Sequence, residues 1–233
     1  MSELDIVNVA ATIMTIVLLF SPLPDYRRIQ SQKCTGEVRV LPVCMLGVTC
    51  YTWAIYGYLS GIYFPIMSIN VFGTLTSLGF SLVYYRWSSD RSTLHKMGAL
   101  VGLWILITLL VIGLCKTNVI PLSLYFQKKI IGFAAVFINI FLYASPMKTI
   151  KIVLRTKSAA SLPVTMCCVN LVTGSLWMLF GILTNDMFVV IPNALGVMLS
   201  AIQVLLCVRF RHLEIVIAAH DITVMEVKSE ALL

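Results

Sequence analysis

Long apolar stretches separated by short polar breaks run along almost the whole chain. Residues 6–24 carry no charge, nor do 40–85, 97–115 and 130–147, and between 158 and 208 the charged side chain is Asp186. A helix needs about 20 apolar residues to cross a bilayer, so the stretches at 40–85 and 158–208 each hold two spans. The pattern predicts seven spans, at residues 6–23, 40–59, 64–85, 97–115, 130–147, 163–183 and 187–208. Within them polar residues fall at helical spacing: Asn70, Gly73, Thr74 and Ser77 share one face of the third span, and Asn193, Gly196, Ser200 and Gln203 one face of the seventh.

The pattern is also written twice. Ser145 and Pro146 follow Ser21 and Pro22 by 124 positions, Lys157 follows Lys33 by 124, and Trp177, Phe180 and Gly181 follow Trp53, Tyr56 and Gly57 by 124. Asn193 and Gly196 follow Asn70 and Gly73 by 123. The fourth span has no counterpart. With three spans per repeat, an odd connecting helix lets both copies insert in the same orientation. The expected fold is an all-α membrane protein of seven transmembrane helices, two parallel three-helix bundles joined by a linker helix (3+1+3). The expected division is residues 1–86 for the first repeat, 87–120 for the linker, 121–210 for the second repeat and 211–233 for a cytoplasmic tail, poorly ordered or loosely surface-bound.

Composition agrees: 59% of the 233 residues are hydrophobic, 12% are charged and the mean hydropathy is +0.95. A soluble domain carries roughly 25% charged residues. The net charge of +7 reads as a topology signal rather than a nucleic-acid footprint, because fourteen of the seventeen Lys and Arg fall in alternate loops and the tail. The positive-inside bias then sets the N-terminus outside and the C-terminus in the cytoplasm. The N-terminal region is acidic (Glu3, Asp5), unlike a cleavable signal peptide. Most of the seven cysteines lie inside spans and read as buried thiols, not a disulfide framework. No metal or cofactor is expected.

Pro22, Pro42, Pro146 and Pro163 stand at the same ends of spans 1, 2, 5 and 6, two per repeat, which favours hinges over four unrelated helix ends. Asn70 and Asn193 occupy one place in each repeat, so a two-fold axis sets them facing each other, offering donors and acceptors to a polar, uncharged ligand. Trp53 and Trp177 are paired in the same way, mid-span rather than in an interfacial belt. Indole faces beside amides suit a sugar ring.

The repeated Ser-Pro, the basic loop with its Lys, W-x-x-[YF]-G and Pro-Asn-x-x-Gly in the last span resemble the SWEET family of sugar transporters over about residues 6–210. The resemblance implies energy-independent, bidirectional sugar movement by alternating access. It implies that Asn70, Asn193 and Trp177 bind sugar, that the four prolines are hinges, and that Tyr56 and Asp186 close an extracellular gate. Trp53 stands where many members have a smaller residue, so the pocket is expected to be narrow and to favour a monosaccharide such as glucose. Asp25 replaces a usual Thr, which repeat 2 keeps as Thr149; Asp25 is expected to be solvated.

The expected partners are a sugar and the lipid bilayer, with a homo-oligomer left open, and the expected location is the plasma membrane, with an intracellular membrane as alternative. Other classes fit less well. The three histidines lie outside the spans, so no intramembrane base is available to a protease, and span 7 lacks the Lys of a retinal pump. Mid-span ionisable groups for proton coupling are missing too, which favours a uniporter. A seven-helix receptor shares the topology but not the repeat. A PQ-loop-type carrier of another small polar solute is the nearer alternative, although no Pro-Gln dipeptide occurs.

Overall fold

Each predicted span is helical, the first and fifth across a break, in the computed structural model, which describes residues 2–36, 38, 40–159 and 162–230, with side chains through Arg211 apart from those of Val40 and Val43. In order these are α1 (Glu3–Phe20), α2 (Leu23–Gln32), α3 (Val40–Ser60), a π turn (Tyr63–Met67), α4 (Ser68–Trp87), α5 (Arg91–Lys116), α6 (Leu124–Leu142), α7 (Ala144–Thr156), α8 (Val164–Leu183) and α9 (Met187–Glu230). Six stretches are long and apolar enough to cross a membrane: Glu3–Gln32, Tyr63–Trp87, Arg91–Lys116, Leu124–Thr156, Val164–Leu183 and Met187–Arg211. The seventh is α3, 21 residues without a charge. In lipid, a helix keeps its backbone polar groups bonded within one segment.

Three segments outrun their predicted ends. The first continues past Pro22 as α2, and the fifth continues past Pro146 as α7. Pro22 is the N-cap of α2 and Pro146 lies in the first turn of α7, positions where a missing N–H breaks no intrahelical bond. The chain therefore bends and resumes. The backbone of α9 stays helical to Glu230, through the segment expected to be a tail poorly ordered or loosely surface-bound; no Gly or Pro interrupts residues 212–230. The side chains of that segment, and residues 231–233, lie outside the described set.

Two matching halves pack around a common axis. In each half the second helix pairs with the third (α3 with α4, α8 with α9) and the first helix leans on the third (α1 with α4, α6 with α9). Between halves, α1 meets α8 and α3 meets α6, one contact made twice with the roles exchanged. The repeat reaches single residues. Lys33 and Lys157 both end their helices in the left-handed region (φ 54° and 55°). Their ammonium groups lie over aromatic rings on the third helix, 6.0 Å from Trp87 and 5.7 Å from Phe210. Gly57 and Gly181 let the two hairpins close tightly: a Cβ there would come within 2.7 Å of the Met67 amide nitrogen and 2.8 Å of Val190 respectively.

The linker α5 docks on the first half. Trp104 Nε1 donates to Thr52 Oγ1 at 3.0 Å, and the Tyr51 and Thr108 hydroxyls bond at 2.7 Å. Its opposite face, with Leu100, Leu103, Leu106 and Leu110, is exposed as lipid contact demands. Asp90 caps α5, accepting from the Thr93 amide at 3.1 Å; the Thr93 hydroxyl and then its amide hold the carboxyl below the usual carboxylate range.

Candidate functional site

A cavity of about 490 Å³ opens between the halves, within the usual size of small-molecule sites. Trp53, Asn70, Trp177 and Asn193 all line it, so the four residues expected to meet a ligand converge from α3, α4, α8 and α9. Asn70 Nδ2 donates to the Ile66 carbonyl at 2.9 Å and Asn193 Nδ2 donates to the Val189 carbonyl at 2.8 Å. A carbonyl can only accept, so each amide nitrogen turns toward its own helix. The second N–H and the carbonyl oxygen of each amide are left for the cavity. The two halves thus present the same acceptor in the same way.

The two indoles are held differently. Trp177 Nε1 donates to Thr15 Oγ1 at 2.8 Å, and that hydroxyl donates onward to the Ala11 carbonyl at 2.7 Å. The first-half twin of this pair is Trp53 with Asn139, 124 positions from Thr15. Trp53 packs edge-on against Tyr56 with ring centroids 5.4 Å apart, and its indole N–H and the Asn139 amide make no hydrogen bond among the described residues. Thr49 Oγ1, also at the cavity, is buried and unpartnered, whereas its twin Thr173 donates to the Val169 carbonyl at 2.7 Å. Tyr143 stands at the α6–α7 break and donates from Oη to the Pro192 carbonyl at 2.5 Å. Gly196 makes room, since a Cβ there would lie 2.8 Å from that hydroxyl.

One end of the cavity is shut. Tyr56 Oη donates to both carboxylate oxygens of Asp186 at 2.7 Å, and Asp186 Oδ1 accepts from the Phe188 amide at 3.2 Å. Lys128 adds a cation 3.9 Å from Asp186 and 5.5 Å from the centre of the Tyr56 ring. Tyr56 is fully buried and Asp186 is 6% exposed, so this is a desolvated contact between α3 of one half and the α8–α9 turn of the other. Asp186 is therefore not a hydrated loop carboxylate.

The opposite end carries the prolines. Pro146 reaches the cavity wall. Pro22 marks the α1–α2 break, Pro42 lies in the first turn of α3 and Pro163 is the N-cap of α8. Pro22 and Pro146 stand four residues after Leu18 and Leu142, both cavity-lining residues, and at the first break the Leu18 carbonyl accepts from the Ser21 amide at 3.1 Å. Asp25 is exposed and pairs with Arg28 on its own helix at 3.4 Å rather than reaching across to the second half.

With that geometry in place, four likenesses bear on the chain. A family described as "Sugar efflux transporter for intercellular exchange" matches twice, at residues 5–92 and 129–213. The chain belongs to this family. Its members are transporters, not enzymes, and the double match follows the duplicated halves, which a receptor reading would not. The chain is 27% identical over 207 residues to a rice (Oryza sativa subsp. japonica) protein named "Bidirectional sugar transporter SWEET1b", covering 88% of this chain and 78% of that one. It is 28% identical over 204 residues to the "Sugar transporter SWEET1" of Drosophila pseudoobscura pseudoobscura, covering 88% of each. A solved eukaryotic SWEET transporter superposes with a TM-score of 0.75 at 22% identity, covering 90% of this chain and 97% of the other, which shows the seven-helix 3+1+3 fold. The chain is a multi-pass membrane protein of that fold.

Several lining residues were missed in the sequence. Thr15, Asn139, Thr49 and Tyr143 sit on the cavity, and Lys128 joins the Tyr56–Asp186 contact. The signal for Asn139 was present: it is an amide in a span, as Asn70 and Asn193 are. Thr15 and Lys128 carried none, because one looks like a helix-satisfied hydroxyl and the other like a loop cation.

Proposed function

We propose that this chain carries a neutral sugar down its concentration gradient, in either direction, by exposing the cavity to one side of the bilayer and then the other. The matched carboxamides of Asn70 and Asn193 carry this reading: two acceptors, each preset by its own helix, suit hydroxyl donors on a ring between them. Trp53 and Trp177 supply apolar faces beside them. Among the described lining residues there is no carboxylate, Lys, Arg or His, which fits an uncharged ligand and a carrier without proton coupling. The names of the relatives, sugar transporters, set the substrate class.

Orientation follows from charge. The proline end carries most of the Lys and Arg and faces the cytoplasm, and the Tyr56–Asp186 end faces outside, with the N-terminus out and the C-terminus in. Tyr56 and Asp186, with Lys128, then form the closed extracellular gate, and the four prolines let the cytoplasmic ends of the helices swing. The halves are residues 1–86 and 121–210, with 87–120 as linker and 211–233 as tail. The plasma membrane is the proposed location, and the exposed face of α5 meets lipid or a second copy of the chain.

Radiolabelled hexose uptake in a cell lacking its own hexose carriers tests the reading. Wild type should equilibrate hexose, and Asn70→Ala and Asn193→Ala should each lose most of the flux. Unchanged flux in both variants would reject the site, and accumulation against the gradient would reject passive transport. The paired indoles favour a monosaccharide: sucrose moving faster than glucose would overturn that preference, and Trp53→Ser should widen acceptance.

A further inference from the structure

The cavity extends beyond the paired amides. From Asn193 the same face of α9 continues to Ser200 and Gln203, about 10 and 15 Å further along the helix at 1.5 Å per residue. Across from them Asn170 lies two turns before Trp177 on α8. All three line the cavity. Ser200 is 7% and Gln203 9% exposed, yet neither side chain, nor that of Asn170, makes a hydrogen bond among the described residues. In a membrane segment an unpartnered polar group is costly. Moreover, none of the polar atoms of the three is among the fully buried, unpartnered ones, as Thr49 Oγ1 is.

The other half shows what this region looks like without such a role. The twins of Asn170, Ser200 and Gln203 are Leu46, Ser77 and Phe80. Phe80 stacks on Tyr26 with centroids 4.3 Å apart and planes 12° from parallel, in a cluster with Ile29 and Tyr84. The second half builds the same cluster from Val153, Leu162, Cys207 and Phe210, twins of Ile29, Val38, Tyr84 and Trp87. At the place of Phe80, however, stands a glutamine turned to the cavity. A packing role would have kept the position apolar.

We propose that Asn170, Ser200 and Gln203 form a second, weaker station for the same class of hydroxylated neutral ligand, on the proline-end side of the Asn70–Asn193 pair. Its two amides and one hydroxyl offer donors and acceptors to sugar hydroxyls without an aromatic platform. A ligand leaving the central amides would bind here before reaching the proline end. The inference rests on the sugar reading above.

Equilibrium binding of radiolabelled glucose to the full chain in lipid nanodiscs tests it, alongside quenching of tryptophan fluorescence. Wild type should bind in two phases, with only the tighter one seen by fluorescence, since Trp53 and Trp177 line the central site alone. Gln203→Met with Ser200→Ala should weaken the second phase more than tenfold and leave the fluorescent phase in place, and Gln203→Asn should restore part of it. Asn193→Ala should do the reverse. A single phase in wild type, indifferent to Gln203→Met, would overturn the second station while the sugar reading stands. No glucose binding in any form of the chain would overturn both.

Discussion

The two halves agree at the centre of the cavity and differ at its ends. At the centre, Asn70 and Asn193 make the same bond to their own helices, and Trp53 and Trp177 flank them. At the proline end the first half is closed by the Tyr26–Phe80 stack, where the second half has Ile150 and Gln203. At the other end the asymmetry reverses chemistry: Tyr56 of the first half finds Asp186, while its twin Phe180 is buried among apolar residues. A duplicated carrier needs symmetry where one ligand is gripped from two sides. Asymmetry between the halves lets one of them supply, at each end, a group its twin lacks: the Tyr26–Phe80 stack at the proline end and the Tyr56 hydroxyl at the other.

The largest expected effect comes from erasing the difference at the proline end. Phe80→Gln buries an amide in the cluster of Tyr26, Ile29 and Tyr84 and removes a stacked ring, and should lower stability by about 3 kcal/mol, read as an earlier unfolding midpoint in detergent. The converse, Gln203→Phe, should leave the midpoint within experimental scatter and slow hexose flux.

Next comes the gate. Tyr56→Phe removes both hydrogen bonds to Asp186 and should shift the open–closed balance at that end by about 2 kcal/mol, roughly 30-fold, seen as a longer distance between spin labels placed across it. Phe180→Tyr, by contrast, gains no acid and should not move that distance.

A smaller effect is expected at the indoles. Thr15→Val leaves the Trp177 N–H without its acceptor, and about 1 kcal/mol should appear as a several-fold rise in the half-saturating hexose concentration with little change in maximal flux. Equal effects from Thr15→Val and Asn139→Leu would show that the two pairs act alike after all.

Least should come from Lys128→Met. Its side chain is 34% exposed and its separation from Asp186 is 3.9 Å, so well under 1 kcal/mol is expected in the same spin-label distance. An effect as large as that of Tyr56→Phe would promote the lysine to an equal member of the gate.

Much of this was legible before any coordinates. Charge-free length marked the spans, and the 124-residue offset paired Lys33 with Lys157 before their shared left-handed backbone was visible. The tryptophans that meet in the cavity were named by the same offset, and the asparagines by an offset one shorter. Helix ends were less legible: Pro22 and Pro146 read as hinges near the ends of their spans, and the length of helix that resumes beyond each was not foreseen, the first turn of a helix having no bond for a proline to break. Thr15 was invisible since a threonine in a span bonds its own helix by default, and only the approach of α8 brings the Trp177 indole to it.

The sequence by itself determined the number of spans, the duplication and which residues are twins, since these depend on composition and spacing along one chain. Only the tertiary structure decided which twins stay equivalent. Whether a glutamine faces a cavity or a core, and whether a tyrosine finds an acid, depends on what a different helix places within about 3 Å. That information is absent from either segment alone.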